Sequence, residues 1–103
     1  MTAVDPEPSC ATRLKVLADD TRLVVLQQLM HGPRHVGELN TALEIELSLL
    51  SHHLKVLREA GLVVAQRDGK AVLYSLAPGV DMSPTGKAIN LGCCSLSFVD
   101  LQP

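Results

Sequence analysis

Aromatic residues are almost absent from this sequence, which has one tyrosine, one phenylalanine and no tryptophan among its 103 residues. A hydrophobic core must therefore be built from leucine, valine and alanine. Long apolar runs are also missing, because no stretch approaches the roughly 18 apolar residues that a membrane-spanning helix requires. The acidic N-terminus lacks the basic and then apolar regions of a signal peptide. We expect one small cytoplasmic domain without a membrane partner.

The sequence also lacks an excess of positive charge. Its formal net charge is −2, which argues against a surface that is basic throughout. The charge is unevenly distributed, however. Residues 1–47 carry four basic and seven acidic side chains, whereas residues 48–76 carry four basic and two acidic ones. The second segment therefore has a local positive charge that suits contact with DNA.

The signatures of enzymes are absent as well. There are no paired carboxylates, no glycine-rich phosphate loop and no nucleophile elbow. A thiol oxidoreductase would need a Cys-x-x-Cys motif near a βαβ unit, whereas Cys93 and Cys94 are adjacent and lie near the C-terminus. Three thiols on a chain of this kind would also make a poor metal store. We predict that the protein is not an enzyme.

The stretch ELSLLSHHLKVLREAG, at positions 46–61, has the clearest helical pattern. Its leucines recur at steps of three and four residues, which places them on one face of an α-helix: Leu47, Leu50, Leu54 and Leu57. The opposite face carries Ser48, His52, Lys55 and Glu59. Such a helix can bury its leucines and present polar groups to the major groove of DNA, although an ordinary amphipathic surface helix has the same pattern.

The segments on either side of this helix favour the DNA-binding interpretation. We predict helices at about residues 10–18, 21–32 and 36–43, with Asp19 or Asp20 as the N-cap of the second. Two short helices joined by a tight turn form a helix-turn-helix. Two alternating runs, LVVAQR and AVLYSL, then follow, joined by a turn that contains Gly69. A hairpin directly after a helix-turn-helix is a wing.

We therefore predict an α+β fold, mostly α, in which a winged helix-turn-helix with a two-stranded wing occupies residues 10–76 and forms a dimer. Residues 1–9 should be flexible. Residues 77–103 should form a tail that contains the cysteine pair and contributes to sensing and to the dimer contact. The two prolines and three glycines of residues 77–92 make a long helix in that tail improbable.

Three segments, LADDTRLVVLQQL, LSLLSHHLKVLREAGLV and RDGKAVLYSL, together resemble the ArsR/SmtB family of dimeric metal-sensing repressors. The resemblance covers roughly residues 12–76 and is most specific in SHHLKVLREAGL, at positions 51–62. It implies a winged-helix homodimer that binds double-stranded operator DNA and is released by a metal ion or metalloid. It also implies a recognition helix whose polar residues are Ser48, Ser51, His52, His53 and Lys55.

The sequence departs from the family pattern at three places. Many members carry a Cys-x-Cys sensor motif in the third helix, where this chain has no thiol between His35 and Leu39. Others hold zinc with Asp and His pairs on a C-terminal helix, but no histidine lies between Ala77 and Pro103. The usual Ser-Gln at the start of the recognition helix is replaced by Glu46-Leu47, which removes a helix cap and a base contact.

The remaining candidates for inducer binding are the three cysteines, Cys10, Cys93 and Cys94. In the cytoplasm they should be reduced thiols. Thiolates are soft ligands, and three of them without a fourth ligand suit As(III) or Sb(III) better than four-coordinate zinc. Cys10 would have to reach the pair from the far end of the chain, for example across the dimer. Another soft metal, a redox or persulfide signal, and cysteines without a sensing role remain as alternatives.

The wing provides further candidates for DNA binding. Arg67, Lys70 and Tyr74 should lie on or near it, where they could contact phosphates or a minor groove. A solvated turn is the alternative for each of these residues. The most specific function that the sequence predicts is a repressor controlling resistance or efflux genes.

Overall fold

The computed structural model describes residues 9–98, so that most of the predicted flexible N-terminus and residues 99–103 lie outside the described part. Within that part the elements are, in chain order, α1 (Cys10–Leu17), α2 (Asp20–Leu29), β1 (Arg34–His35), α3 (Val36–Leu43), α4 (Leu47–Glu59), β2 (Val63–Asp68), β3 (Ala71–Leu76), β4 (Asp81–Met82), β5 (Ala88–Asn90) and β6 (Ser95–Ser97). This order contains the predicted winged helix-turn-helix. None of these helices is long and apolar enough to cross a membrane.

The predicted helices are confirmed, and their ends have clear local causes. The Ser9 hydroxyl accepts a hydrogen bond from the Thr12 amide at the start of α1, and the predicted cap Asp19 accepts one from the Arg22 amide at the start of α2. Helix α4 ends in a Schellman motif, in which the Gly61 amide donates to the Arg58 carbonyl and the Leu62 amide donates to the Leu57 carbonyl. Gly61 has φ 77°, which a side chain would disfavour.

The core consists mainly of leucine and valine, as the shortage of aromatic residues predicts. Its largest fully buried side chains are Leu26, Leu39, Leu50, Leu54, Leu57, Leu62, Ile89, Leu91, Val25 and Val63. Helix α4 contributes three of the four leucines predicted for its buried face. The fourth, Leu47, is 54% exposed, because the first turn of the helix extends beyond the core.

The wing is an antiparallel hairpin of β2 and β3, paired from Val63–Leu76 to Asp68–Ala71. Gly69 and Lys70 form its two-residue loop, and Gly69 has the positive φ that such loops require. The structure adds a third strand that the sequence pattern did not predict. Strand β1 pairs with the other edge of β3, which makes β3 the central strand of the sheet and links the wing to the start of α3.

Residues 77–98 contain three short strands that the sequence pattern did not predict. These strands form a second antiparallel sheet in the order β4-β5-β6, and no long helix occurs in residues 77–98. Val80, Ile89 and Leu91 from this segment are buried in the same core as the helices. These buried side chains pack the second sheet against the rest of the domain. Within the sheet, Ile89 of β5 is paired with Leu96 of β6.

Candidate functional site

The three cysteines meet at one place within a single chain. Cys10 is the first residue of α1, and Cys93 and Cys94 lie in the loop between β5 and β6. Their sulfur atoms all lie within 4.8 Å of one another. The Cys94 sulfur is 3.3 Å from that of Cys10 and 3.8 Å from that of Cys93. The cluster is therefore formed without a residue from a partner subunit.

The expectation of three free thiols is wrong for this structure, because Cys10 and Cys93 form a disulfide. The physical reason lies in the second sheet. It brings the β5–β6 loop against the N-terminus of α1, with the two Cα atoms 5.7 Å apart, a normal separation for a disulfide. Cys94 is a free, half-buried thiol beside this bond.

Helix α4 exposes most of the polar residues predicted to face DNA. Ser48, Ser51, His52 and Lys55 are exposed along one side of the helix. The N-cap residue Glu46 makes no capping hydrogen bond, in agreement with the loss of a cap inferred from the sequence. Its carboxylate instead accepts a hydrogen bond from the Ser48 hydroxyl.

His53, which was also predicted as a DNA-binding residue, belongs to the core instead. It is only 7% exposed, and its Nδ1 atom accepts a hydrogen bond from Nε of Arg22 at 3.1 Å. Helical geometry accounts for this placement, because residues three apart are separated by about 60° around the axis and His53 thus lies beside the buried Leu50. His52, by contrast, lies on the opposite side of the helix.

The wing presents two of its three predicted DNA-binding residues. Arg67 and Lys70 are exposed near the hairpin loop. Tyr74 is 8% exposed and packs in the hydrophobic core, a placement that does not favour the predicted contact with DNA. Because β3 is the central strand, Tyr74 is flanked by Arg34 of β1 on one side and by Ala65 of β2 on the other.

Comparison with known proteins matches residues 19–64 to the arsR family of bacterial regulatory proteins. The regulator NmtR of Mycobacterium tuberculosis is 47% identical over 66 residues, which are 64% of this chain and 55% of that protein. The structure of HlyU from Vibrio cholerae has a TM-score of 0.64 and 39% identity, with 65% of this chain and 73% of that one covered. This chain belongs to the arsR family. The family resemblance seen in the sequence is confirmed.

A third relative bears on the assembly of the arsR-family chain. The homodimeric winged helix-turn-helix DNA-binding domain Mb0332 of Mycobacterium bovis matches with a TM-score of 0.62 and 37% identity, covering 65% of this chain and 62% of that one. The chain spans about half the length of the curated relatives it matches. The family consists of DNA-binding transcriptional regulators, in agreement with the lack of an enzyme signature in the sequence.

In this arsR-family member, His35 is the N-cap residue of α3. Its Nε2 atom is 2.8 Å from the Asp68 carboxylate at the end of β2, and its Nδ1 atom is 3.2 Å from the Glu38 carboxylate. The His35 amide also donates to Glu38 at 2.7 Å. The imidazole therefore connects the helix-turn-helix with the end of the wing.

The contacts of His35 predict a pH-dependent contribution to stability. The hydrogen bond to Asp68, followed by that to Glu38, raises the pKa of His35 above its usual value of about 6.5. A raised folded-state pKa means that the stabilisation is fully present below about pH 6.5 and is lost as the pH rises through the folded-state pKa. We expect the melting temperature of the wild type to exceed that of His35→Gln by more at pH 6 than at pH 8.5. An equal difference at both pH values would contradict this prediction.

Sequence reasoning missed two arginines that connect the helices. Arg22 of α2 joins the carbonyl of Val16 on α1, at 3.4 Å, to His53 on α4. Arg13 of α1 joins the carbonyl of Ala60, at 3.2 Å, to that of Leu91, at 2.6 Å. A basic residue one turn after Cys10 was the available signal for Arg13, but its partners depend on the second sheet, which was not foreseen.

Proposed function

We propose that this arsR-family protein is a cytoplasmic homodimeric repressor that leaves its operator when As(III) or Sb(III) binds Cys10, Cys93 and Cys94. The observation that carries the proposal is the meeting of three sulfur atoms within 4.8 Å. Thiolates are the ligands that soft ions prefer. Within residues 9–98 no histidine or carboxylate joins this cluster, so the donor set fits a trigonal metalloid better than tetrahedral zinc.

The proposed binding reaction requires all three cysteines in the thiol form. Arsenous acid and three thiols exchange ligands to give three arsenic–sulfur bonds and three water molecules, with no change in oxidation state. The Cys10–Cys93 disulfide must first be reduced, for example by exchange with a dithiol that is itself oxidised to a disulfide. The structure therefore represents the oxidised form of the site, and the inducer binds the reduced form.

The proposed DNA interface combines the exposed side of α4 with the loop of the wing. Ser48, Ser51, His52 and Lys55 can reach base edges in a major groove, while Arg67 and Lys70 can contact phosphates. The proposed inducer site lies on α1 and on the loop between β5 and β6, and none of its cysteines is among the proposed DNA contacts. We therefore expect release to act through a change in the conformation of the protein and not by blocking the DNA-binding surface.

We expect the protein to sediment as a dimer. Leu14 on α1 is 44% exposed and can pack against its counterpart in a second chain, whereas Leu91, also predicted to lie at the dimer contact, is buried within its own domain. Leu14→Glu should raise the dimer dissociation constant, as measured by analytical ultracentrifugation over a range of concentrations. The exposed Lys15→Glu provides a control on the same helix. A wild type that is monomeric at all concentrations and still binds operator would contradict a dimeric repressor.

The proposal is tested by titrating the reduced, operator-bound protein with arsenite, zinc and a persulfide donor. We use DNA from upstream of its own gene as the operator and a phosphine as the reductant, since a phosphine does not itself contribute thiols. Arsenite should raise the operator dissociation constant by about 10- to 100-fold, a usual size for allosteric coupling. Zinc should have little effect. If arsenite leaves the operator affinity unchanged, the metalloid assignment is wrong.

The disulfide favours a second candidate function, in which the same cysteines respond to oxidation. A thiol oxidant that accepts two electrons would join Cys10 to Cys93 and release two protons, leaving Cys94 free. Release from the operator by the persulfide donor or by an oxidant, with no effect of arsenite, would support this candidate over the metalloid sensor.

A further inference from the structure

Arg13 lies between the cysteine cluster and the end of the recognition helix α4. It is one helical turn from Cys10 on α1, so the two side chains are near each other. Its Nη1 atom donates to the carbonyl of Leu91, two residues before Cys93, at 2.6 Å. Its Nε atom donates to the carbonyl of Ala60 at 3.2 Å. One guanidinium therefore connects α4 with the loop between β5 and β6, which carries Cys93 and Cys94 and is called the cysteine loop below.

The contact with α4 is made at a well-defined point. Ala60 is the C-cap residue of that helix, and its carbonyl lies where the helix dipole is negative. The Schellman motif satisfies the carbonyls of Leu57 and Arg58, and Arg13 supplies a donor for the carbonyl of Ala60. A cation at a helix C-terminus is a favourable arrangement, so Arg13 can fix the position of this end of α4.

Two glycines make room for the guanidinium. A Cβ atom added at Gly61 would lie 3.1 Å from Nη2 of Arg13, and one added at Gly92 would lie 3.0 Å from Nη1. Both glycines also have positive φ, which a residue with a side chain would disfavour. Backbone conformation and the space available therefore both favour glycine at these two positions. The guanidinium thus occupies a narrow slot between the end of α4 and the cysteine loop, in which small displacements change its hydrogen bonds.

The cysteine loop is itself held in a fixed conformation on the other side of Arg13. The Leu91 amide donates to the Cys94 carbonyl at 2.8 Å, and the Gly92 amide donates to the Asn90 side chain at 2.9 Å. Because these bonds connect Leu91 to the cysteines, a change in how Cys93 and Cys94 bind Cys10 would be transmitted to the Leu91 carbonyl. The planar guanidinium presents its donors in a rigid fork, so it cannot follow this carbonyl without altering its bond to Ala60.

We infer that Arg13 couples the state of the cysteine cluster to the position of the recognition helix. The inference rests on the proposed function, since it assumes that the cluster is the sensing site. It names the residue through which that site acts on DNA binding. Arg13 is a positioning residue, because it is neither a proposed ligand of the inducer nor a proposed DNA contact, and its hydrogen bonds go to the backbone carbonyls of Ala60 and Leu91.

The experiment compares the operator affinity of reduced protein with and without arsenite, and of oxidised protein, in the wild type and in Arg13 variants. Arg13→Gln removes the charge and the fork. Arg13→Lys keeps the charge, but its single ammonium group cannot span both carbonyls as the guanidinium does. Lys15→Gln is the matched control, because Lys15 is exposed on the same helix and makes no side-chain hydrogen bond within residues 9–98. Thermal unfolding of each variant reports on a purely structural role.

For the wild type and Lys15→Gln we expect arsenite to weaken operator binding by about tenfold or more, whereas for Arg13→Gln the change should fall below about threefold. Arg13→Lys should give an intermediate ratio. Arsenite should still bind Arg13→Gln, as shown by the ultraviolet absorption of arsenic–thiolate bonds. Hydrogen exchange at the Gly61 and Leu62 amides should change with arsenite in the wild type and in Lys15→Gln, but not in Arg13→Gln.

The possible outcomes separate the inference from the proposed function. If the wild type and Arg13→Gln respond to arsenite by the same factor, the function stands and the coupling role of Arg13 is wrong. If oxidation but not arsenite changes operator affinity, the metalloid proposal fails. The role of Arg13 is then decided by comparing the change in operator affinity on oxidation between the wild type and Arg13→Gln. A wild type that responds to neither treatment overturns both. If Arg13→Gln lowers the melting temperature but does not alter the factor by which arsenite or oxidation changes operator affinity, Arg13 has a structural role only.

Discussion

Single serine substitutions of Cys93 or Cys94 are expected to leave operator binding intact and to abolish the response to arsenite. This result is expected because Cys93 and Cys94 lie in the loop between β5 and β6, whereas the proposed DNA contacts belong to α4 and the wing. Serine offers a hard oxygen in place of a soft thiolate and cannot hold the metalloid in the same way. With two thiols left, the response should fall from about 10- to 100-fold to within experimental error. Anisotropy titrations with labelled operator measure both quantities.

Cys10→Ser provides the sharpest comparison within this series. Cys10 is the only ligand contributed by α1, and its sulfur is 3.3 Å from that of Cys94. If the metalloid must join α1 to the loop, the response is lost even when an external monothiol supplies the third sulfur to Cys93 and Cys94. Restoration of the response by that monothiol would show that the pair alone is sufficient. Release by zinc from a variant without any thiol would overturn the site altogether.

The second large effect concerns DNA recognition. Ser48→Ala and His52→Ala should each weaken specific operator binding by about 1–3 kcal/mol, since both side chains are exposed on the side of α4 that we propose to face a major groove. Arg67→Ala and Lys70→Ala should weaken binding to all DNA sequences. Each should also reduce the slope of log affinity against log salt concentration by about 1, as expected for the loss of one phosphate contact. Affinity for operator and for random DNA, measured at several salt concentrations, separates the two groups. Equal losses on both DNAs for all four variants would contradict this division.

His53→Ala serves as the control for His52→Ala, because the two residues are adjacent and differ in burial. The buried His53 accepts a hydrogen bond from Arg22, so its removal should lower the melting temperature and leave the donor of Arg22 without this partner. His52→Ala should leave the melting temperature nearly unchanged. If His53→Ala keeps its melting temperature but loses operator binding, His53 contacts DNA and our assignment to the core is contradicted.

The sequence was sufficient for elements whose signals are local. The helix over Val36–Leu43 and the wing around Gly69 follow from periodicity and turn residues, and the structure has them where they were predicted. The burial of Tyr74, in contrast, depends on non-local information. Tyr74 alternates correctly along β3, but only the pairing of that strand on both edges shows which face is buried. His53 could have been assigned to the core by the same angular argument that placed the leucines of α4.

The candidate site shows the same division between local and non-local information. The chemistry of Cys10, Cys93 and Cys94 could be inferred from residue type, and the structure brings their sulfur atoms within 4.8 Å of one another in a single chain. The disulfide could not be inferred, because it depends on a sheet of very short strands among glycines and prolines. Arg13 was missed for a related reason. Its two acceptors are backbone carbonyls, which have no sequence signature.

The disulfide has a consequence for the topology of the chain. Cys10 and Cys93 are separated by 83 positions, so their bond closes a covalent macrocycle that contains all four helices and the wing. In the chain-entropy model, closing a loop of this length lowers the conformational entropy of the unfolded state, which destabilises that state by about 4–5 kcal/mol. A metalloid held by the same sulfurs would close the same ring. The oxidised and the metalloid-bound protein are thus cyclic polymers, whereas the reduced protein that we expect on the operator is a linear one.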